Sequence, residues 1–240
     1  MIARVAVVPQ PPLLVPELVA GPDPDVAAVR AECLAVAARL AGAARHWIAI
    51  AAADVPEPTA LGPDAAGTFR GYGVDVRVRL SDNAEQVDPA MPLPALVAGW
   101  LREQSGAVEV KTWLVPTDLA TADCQEFGSR LVAESAPDES VGLLVVGDGS
   151  HRHGEQAVGR PDGRAGVFDE EVRRALAAAD PAALLALDPD LAASLGAVGR
   201  AAWQVLAGVV GKDGRAWECT HNALLIPFGV AYHLAVWDPL

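Results

Sequence analysis

The feature that most constrains the fold is a series of short, almost wholly apolar runs separated by helical segments. Residues 3–8, 46–52 and 141–146 are the clearest of these runs. Strands that are apolar throughout are typical of a sheet buried on both faces. Residues 26–40 carry apolar side chains at three- and four-residue spacing, which predicts an amphipathic helix. The alternation predicts an α/β protein, a three-layer sandwich whose central mixed β-sheet is flanked by helices.

The later segments continue this alternation and contain nothing typical of a linker, so we expect a single domain over residues 1–240. Asp25 is expected to cap the helix at 26–40. The acidic stretch that begins at Asp169 is typical of a solvated helix start. Further strands are predicted at 74–80, 111–115, 216–225 and 230–236, and the last two are expected to form an antiparallel pair. Further helices are predicted at 93–104, 121–133 and 167–210, and the last range is interrupted at Asp180-Pro181 and Asp188-Pro189.

The charge of the chain restricts its partners. The 31 acidic residues exceed the 18 lysines and arginines and leave a net charge of −13. This charge repels phosphate backbones and anionic lipids, so we expect neither nucleic acid nor a membrane as a partner. Cys33, Cys124 and Cys219 lie far apart, which predicts no disulfide framework and no thiolate zinc site. No signal segment is recognisable, and a cytoplasmic protein is expected.

Polar or proline-rich loops follow three of the predicted strands. They are Pro9-Gln10-Pro11-Pro12, the loop that begins at Asp54, and the loop from Asp148 to His153. Loops at the carboxyl ends of strands in an α/β sheet converge on one crevice. We therefore expect Gln10, Asp54 and His151 to lie around a common site.

These loops also resemble those of the LigB-like class III extradiol ring-cleavage dioxygenases and, in part, the related MEMO proteins. The resemblance covers nearly the whole chain and implies the LigB-like α/β sandwich. The segments that carry it, in chain order, are Pro9 to Pro12, Ile48 to Asp54, Gly147-Asp148-Gly149-Ser150-His151, Phe168-Asp169, Val198-Gly199-Arg200 and Pro227 to Tyr232.

The chain departs from this family at the positions that hold metal. Gln10 stands at the first histidine position, and an amide oxygen is a weak ligand for iron beside an imidazole. Only Asp54 offers a ligand near the second position, and Val198 stands where MEMO proteins have a cysteine. The departures predict a pseudoenzyme without a cofactor, which binds a small aromatic or carboxylated ligand or a protein partner. Homo-oligomerisation is compatible with the sequence.

His151 matches the histidine that acts as an acid/base group in the dioxygenases. By this resemblance His151 is the candidate catalytic residue, and Gln10, Ser150 and Arg152 are candidate substrate-binding residues. The imidazole of a histidine titrates near neutral pH, as this role requires. A solvated histidine in a polar loop is the alternative interpretation.

A rebuilt metal site is the alternative to the pseudoenzyme. Asp54, Asp148 and His153, together with His151, offer the carboxylate and imidazole ligands that hold iron or zinc. Such a site would make the protein a metal-dependent oxidoreductase acting on a small aromatic substrate. Convergence of three or more of these ligands in one crevice would favour the enzyme.

The glycine-rich segment from Gly154 to Gly166 is expected to be a flexible, exposed cover over the crevice. Arg152, Arg160 and Arg164 lie in or beside it. These arginines would form either a rim that attracts a carboxylate or phenolate ligand, or simply a solvated loop.

Overall fold

The computed structural model describes residues 1–134 and 140–240. The strands in this part of the chain are β1 (Ile2–Val8), β2 (His46–Ala53), β3 (Thr59–Leu61), β4 (Ala66–Thr68), β5 (Arg77–Arg79), β6 (Val87–Asp88), β7 (Glu109–Pro116), β8 (Val141–Val146), β9 (Trp217–Leu225) and β10 (Tyr232–Pro239). Within the described residues, seven of them form a main sheet in the order β3-β7-β2-β8-β1-β10-β9.

The centre of this sheet is parallel and its ends are antiparallel. Strands β7, β2, β8 and β1 all run in the same direction. Strand β10 pairs antiparallel with β1, and β9 pairs antiparallel with β10. The mixed sheet and the antiparallel pair at the end of the chain are therefore confirmed.

Helices cover both faces of the main sheet. They are α1 (Pro24–Ala43), α2 (Leu93–Ser105), α3 (Thr121–Glu134), α4 (Ala165–Ala177), α5 (Pro181–Leu185), α6 (Pro189–Leu195) and α7 (Arg200–Asp213). Helices α1 and α2 pack on one face, and α3 to α7 supply the core on the other. Alternate residues of β1 serve the two cores, Val5 and Val7 on the α7 side and Ala6 and Val8 on the α1 side. The three-layer sandwich is confirmed.

The caps of the helices explain where they begin. Asp23, not Asp25, caps α1, because its carboxylate accepts the backbone N–H groups of Asp25 and Val26. The prediction at Asp25 was therefore wrong by two residues. Asp180 and Asp188 cap α5 and α6, which confirms the predicted breaks. No helix in the described residues is both long enough and apolar enough to cross a bilayer.

The predicted strand at 74–80 is shorter than expected and lies outside the main sheet. Strand β5 spans Arg77–Arg79 and is an edge strand of a small sheet with the order β5-β4-β6. Val78 is buried between two exposed arginines, as the alternation of residue types predicts for a half-exposed edge strand. The short strands β3, β4 and β6 were not predicted from the sequence.

Candidate functional site

Two of the three predicted loops meet at the carboxyl edge of the parallel strands. Val8 is the register partner of Val146, so β1 and β8 end side by side. The backbone N–H of Gln10 donates to Oδ1 of Asp148 at 2.7 Å. Asp54 follows β2 at the same edge, but its side chain is exposed. The convergence of the Gln10 and Asp148 loops is thus confirmed by a direct hydrogen bond.

The loop after β8 sends its polar side chains to opposite faces of the sheet. Tyr232 and His233 are consecutive residues of β10 and therefore point to opposite faces. The charge of Asp148 acts on Tyr232 and on Cys33 of α1, on the α1 side. His233 instead hydrogen-bonds to Asp169 of α4. The site consists of two separate polar groups, one on each side of the sheet.

The group on the α1 side centres on Asp148. Burial raises the pKa of its carboxyl from 3.8 to about 7, and the hydrogen bond from Gln10 opposes the rise. Burial also raises the pKa values of the Tyr232 phenol and the Cys33 thiol, and the Asp148 charge adds to both shifts. Oε1 of Gln10 is buried and has no hydrogen-bond partner among the described residues. The residue whose side-chain oxygen lacks a partner is therefore the one whose backbone N–H holds the Asp148 carboxyl, and the pKa of that carboxyl is raised.

We predict from Asp148 that stability falls as pH rises between about 4 and 7. Its folded pKa of about 7 exceeds the ordinary 3.8, so over this range the folded state holds a proton that the unfolded chain has released. The free energy of unfolding should fall by at most about 1.4 kcal/mol per pH unit from this group. The stabilisation is complete below pH 4 and lost above pH 7.

Urea unfolding of the wild type and of Asp148→Asn at pH 5, 6, 7 and 8 measures this effect. The asparagine keeps an oxygen for the Gln10 N–H but does not titrate. As the pH rises from 5 to 7, the free energy of unfolding of the wild type should fall relative to that of Asp148→Asn. A difference that stays constant from pH 5 to 8 would contradict the raised pKa.

The group on the α4 side is a buried carboxylate that joins two imidazoles. Asp169 and His233 are each 0% exposed. The carboxylate of Asp169 lies 2.6 Å from Nε2 of His153 and 2.8 Å from Nε2 of His233. It also accepts the backbone N–H of Ser150, 3.3 Å from each oxygen. The ring of Trp203 packs edge-on against His233, with centroids 5.4 Å apart.

Asp169 corrects one sequence prediction, and His233 was missed altogether. Asp169 is not part of a solvated helix start. The solvated acidic residue at this helix start is instead Glu170, which forms ion pairs with Arg173 and Arg174. The apolar spacing of α4 offered a signal, because Asp169 falls on its buried stripe, which also includes Ala165, Phe168, Val172 and Leu176. His233 carried no such signal, since it is one polar residue within an apolar strand.

Gly149 allows the close approach of loop and carboxylate. A Cβ built there would overlap Oδ1 of Asp169 and would lie 2.9 Å from Cβ of Ala231. The backbone of Gly149 donates to the carbonyl of Ala231 at 2.8 Å, and Ala231 donates to the carbonyl of Ser150 at 2.8 Å. The loop is therefore fastened to the start of β10 by backbone hydrogen bonds.

Ser150 and His151 have different surroundings although they are adjacent. Ser150 is buried, and its hydroxyl donates to the carbonyl of Leu195 at 2.9 Å. His151 is partly exposed, and its ring lies so close to Gly196 that a Cβ there would overlap it. Burial, followed by the charge of Arg152, lowers the pKa of His151. The acid/base role of His151 stays a prediction, whereas the Ser150 hydroxyl is occupied within the fold.

The predicted metal ligands are not brought together. His153 is held by Asp169, Asp148 is held by Gln10, and Asp54 is exposed. Across residues 1–134 and 140–240, no group of three or more His, Cys, Asp or Glu side chains is arranged to hold a metal ion. The residues present do not fit a dioxygenase-type iron site, because Gln10 offers an amide where the resemblance implies an imidazole, and the partly exposed His153 and the buried His233 direct Nε2 at the carboxylate of Asp169.

The segment from Gly154 to Gly166 is largely exposed, as predicted, and most of it lacks regular structure. Its mobility stays a prediction. The arginines of the proposed rim are partly engaged within the segment. Nη1 of Arg152 donates to the carbonyl of Arg160 at 3.1 Å, and Arg164 forms an ion pair with Asp162 at 2.7 Å. The ion pair offsets one of the three charges expected to attract an anion.

The comparisons with known proteins bear on the fold alone. No protein-family model matches the chain, and no curated protein matches it. Among solved structures, the chain is similar to the uncharacterized protein JW3007 from Escherichia coli K12, with a TM-score of 0.52 and 14% identity. The match covers 98% of this chain and 99% of that one. At this identity the similarity extends to the architecture of the whole chain and to nothing of its chemistry.

Proposed function

We propose that this chain is a diverged LigB-like protein that binds a small aromatic ligand at the carboxyl edge of its sheet and does not cleave rings with iron. The contact between Gln10 and Asp148 carries the proposal. By the resemblance, Gln10 stands at the position where the dioxygenases have a histidine ligand. The backbone N–H of Gln10 donates to Asp148, and its side-chain oxygen is buried without a partner in the described residues. These groups suit hydrogen bonding to a ligand better than coordination of iron.

The imidazoles of the chain support the same proposal. Non-haem iron requires two imidazoles and a carboxylate that leave open positions for substrate and dioxygen. His153 and His233 instead direct Nε2 at the carboxylate of Asp169, and His233 is fully buried. This arrangement stabilises the fold around the loop, and His151 is a further partly exposed imidazole in the same loop.

Metal analysis and a ring-fission assay test the loss of iron chemistry. We expect protein purified without chelator or a nickel affinity column to contain well under one equivalent of iron. With added Fe²⁺ and ascorbate, it should produce no ring-fission absorbance from catechol. Iron-dependent turnover that disappears in both Asp54→Ala and His151→Ala would instead establish the metal-dependent oxidoreductase.

Thermal unfolding tests the binding function separately. A ligand that binds the folded state raises the apparent stability by mass action. We expect small monocyclic aromatic compounds at millimolar concentration to raise the unfolding temperature of the wild type. If no aromatic compound in such a panel changes the unfolding temperature, the proposed function is wrong.

A further inference from the structure

We propose that a cavity beside the first two turns of α1 binds a small aliphatic carboxylate, and that Arg30 holds the carboxylate group. The volume of this cavity is about 390 Å³, within the range of roughly 300–1,000 Å³ that is typical of small-molecule sites. Its lining residues all lie within residues 16–30, apart from the polar groups around Asp148 and Asp169. The cavity is therefore a second site, and the inference does not depend on the proposed function.

Most of the cavity wall is apolar and stiff. The loop before α1 contributes proline rings, which lose almost no side-chain entropy when a ligand packs on them. The first turns of α1 contribute small aliphatic side chains. The apolar lining residues are Pro16, Val19, Pro22, Pro24, Val26 and Ala27. Such a wall suits an aliphatic chain, which is stabilised by leaving water and needs no hydrogen bond from the wall.

Arg30 supplies the cation of this cavity. Its Nε donates to the carbonyl of Leu14 at 2.7 Å, and its Nη2 donates to the carbonyl of Leu13 at 2.9 Å. These two bonds use one edge of the guanidinium and fix its plane. Within residues 1–134 and 140–240, Nη1 makes no hydrogen bond and Arg30 forms no ion pair. The end that bears Nη1 and Nη2 can therefore hold a carboxylate through two parallel N–H bonds.

Asp23 also lines the cavity, but its charge is already engaged at the start of α1. Its Oδ1 accepts the backbone N–H groups of Asp25 at 2.9 Å and of Val26 at 3.1 Å. The positive end of the helix stabilises this carboxylate, whereas Arg30 contacts only neutral carbonyls. Among the described residues, the charge of the cavity that has no charged partner is therefore positive, and it favours an anionic ligand.

Three compounds with the same carbon chain test the ligand class. Hexanoate is an anion, hexanamide is its uncharged counterpart, and norleucine adds an ammonium group. We expect titrations followed by amide chemical shifts to show hexanoate binding about tenfold more tightly than hexanamide, the effect of a charge-assisted hydrogen bond. Norleucine should bind more weakly than hexanoate, because its ammonium group must leave water beside an apolar wall. The largest shifts should fall at residues 25–30.

Three variants locate the effect. Ala27→Phe fills the cavity from an exposed helix position and should abolish hexanoate binding while the urea unfolding curve stays nearly unchanged. Ala28→Phe is the matched control, because Ala28 is equally exposed on the same helix but lines a different cavity, so hexanoate affinity should not change. Arg30→Gln removes the charge and should make the affinities for hexanoate and hexanamide equal.

Each outcome decides the inference separately from the proposed function. Tighter binding of hexanoate that is lost in Ala27→Phe and kept in Ala28→Phe supports it. Hexanamide that binds the wild type as tightly as hexanoate, or hexanoate that does not bind, would overturn it and leave the test with aromatic compounds unaffected. Tighter binding of norleucine would overturn it as well, because Asp23 would then hold an ammonium group. Shifts centred on Gln10 and Asp148 would instead place the carboxylate at the other site and also contradict the inference.

Discussion

Replacing Asp169 with alanine is expected to lower the free energy of unfolding by about 3–5 kcal/mol, a large share of the stability of a domain of this size. The carboxylate is fully buried and accepts hydrogen bonds from His153 and His233. Its removal leaves both imidazoles without their partner, and His233 has no access to water. The Ser150 N–H loses its acceptor as well.

Two further variants separate the buried network from general effects on α4. Asp169→Asn keeps the shape but offers one acceptor oxygen, so it should destabilise less than the alanine variant. Glu170→Ala, at the next position, removes only the surface ion pairs with Arg173 and Arg174 and should change stability far less. Urea unfolding followed by circular dichroism measures all three. Equal unfolding curves for Asp169→Ala and Glu170→Ala would show that the network does not stabilise the fold.

The parallel centre of the sheet could be predicted because its strands carry their signal locally. Residues 141–146 are all buried in β8, as an uninterrupted apolar run requires. The helices of residues 167–210 were separable because Asp180 and Asp188 each precede a proline and form capping hydrogen bonds. In both cases the residues that determine the structure lie within a few positions of each other.

The candidate site was only partly predictable because its contacts join distant positions. The sequence indicated that the Gln10 and Asp148 loops end at one edge, which follows from the direction of the strands. It did not indicate that Asp148 and His153 lie on opposite sides of the sheet, because the spacing of residues in a loop does not determine where their side chains point. The pairing of Asp169 with His233 spans 64 positions and has no local signal.

Glycines inside helices were also uninterpretable from the sequence, although they determine how α3 and α7 pack. A Cβ built at Gly208 of α7 would overlap the carbonyl oxygen of Gln125 and would lie 2.9 Å from its Cα. The side chain of Ser129 donates to the carbonyl of Gly208 at 3.3 Å across the same contact. The two helices therefore approach to backbone contact, which only glycine permits.

Gly208→Ala is accordingly expected to destabilise the protein by about 2–3 kcal/mol, because rigid backbone, unlike a flexible side chain, cannot move aside without displacing a helix. Gly211→Ala is the matched control, three residues along the same helix. A Cβ at Gly211 meets no atom of the described residues within 4 Å, and alanine favours helix over glycine by about 0.5–1 kcal/mol. The two substitutions should therefore shift the urea midpoint in opposite directions. A shift of the same sign and size for both would show that helix propensity alone acts at Gly208, and that α3 and α7 do not meet as closely as the structure places them.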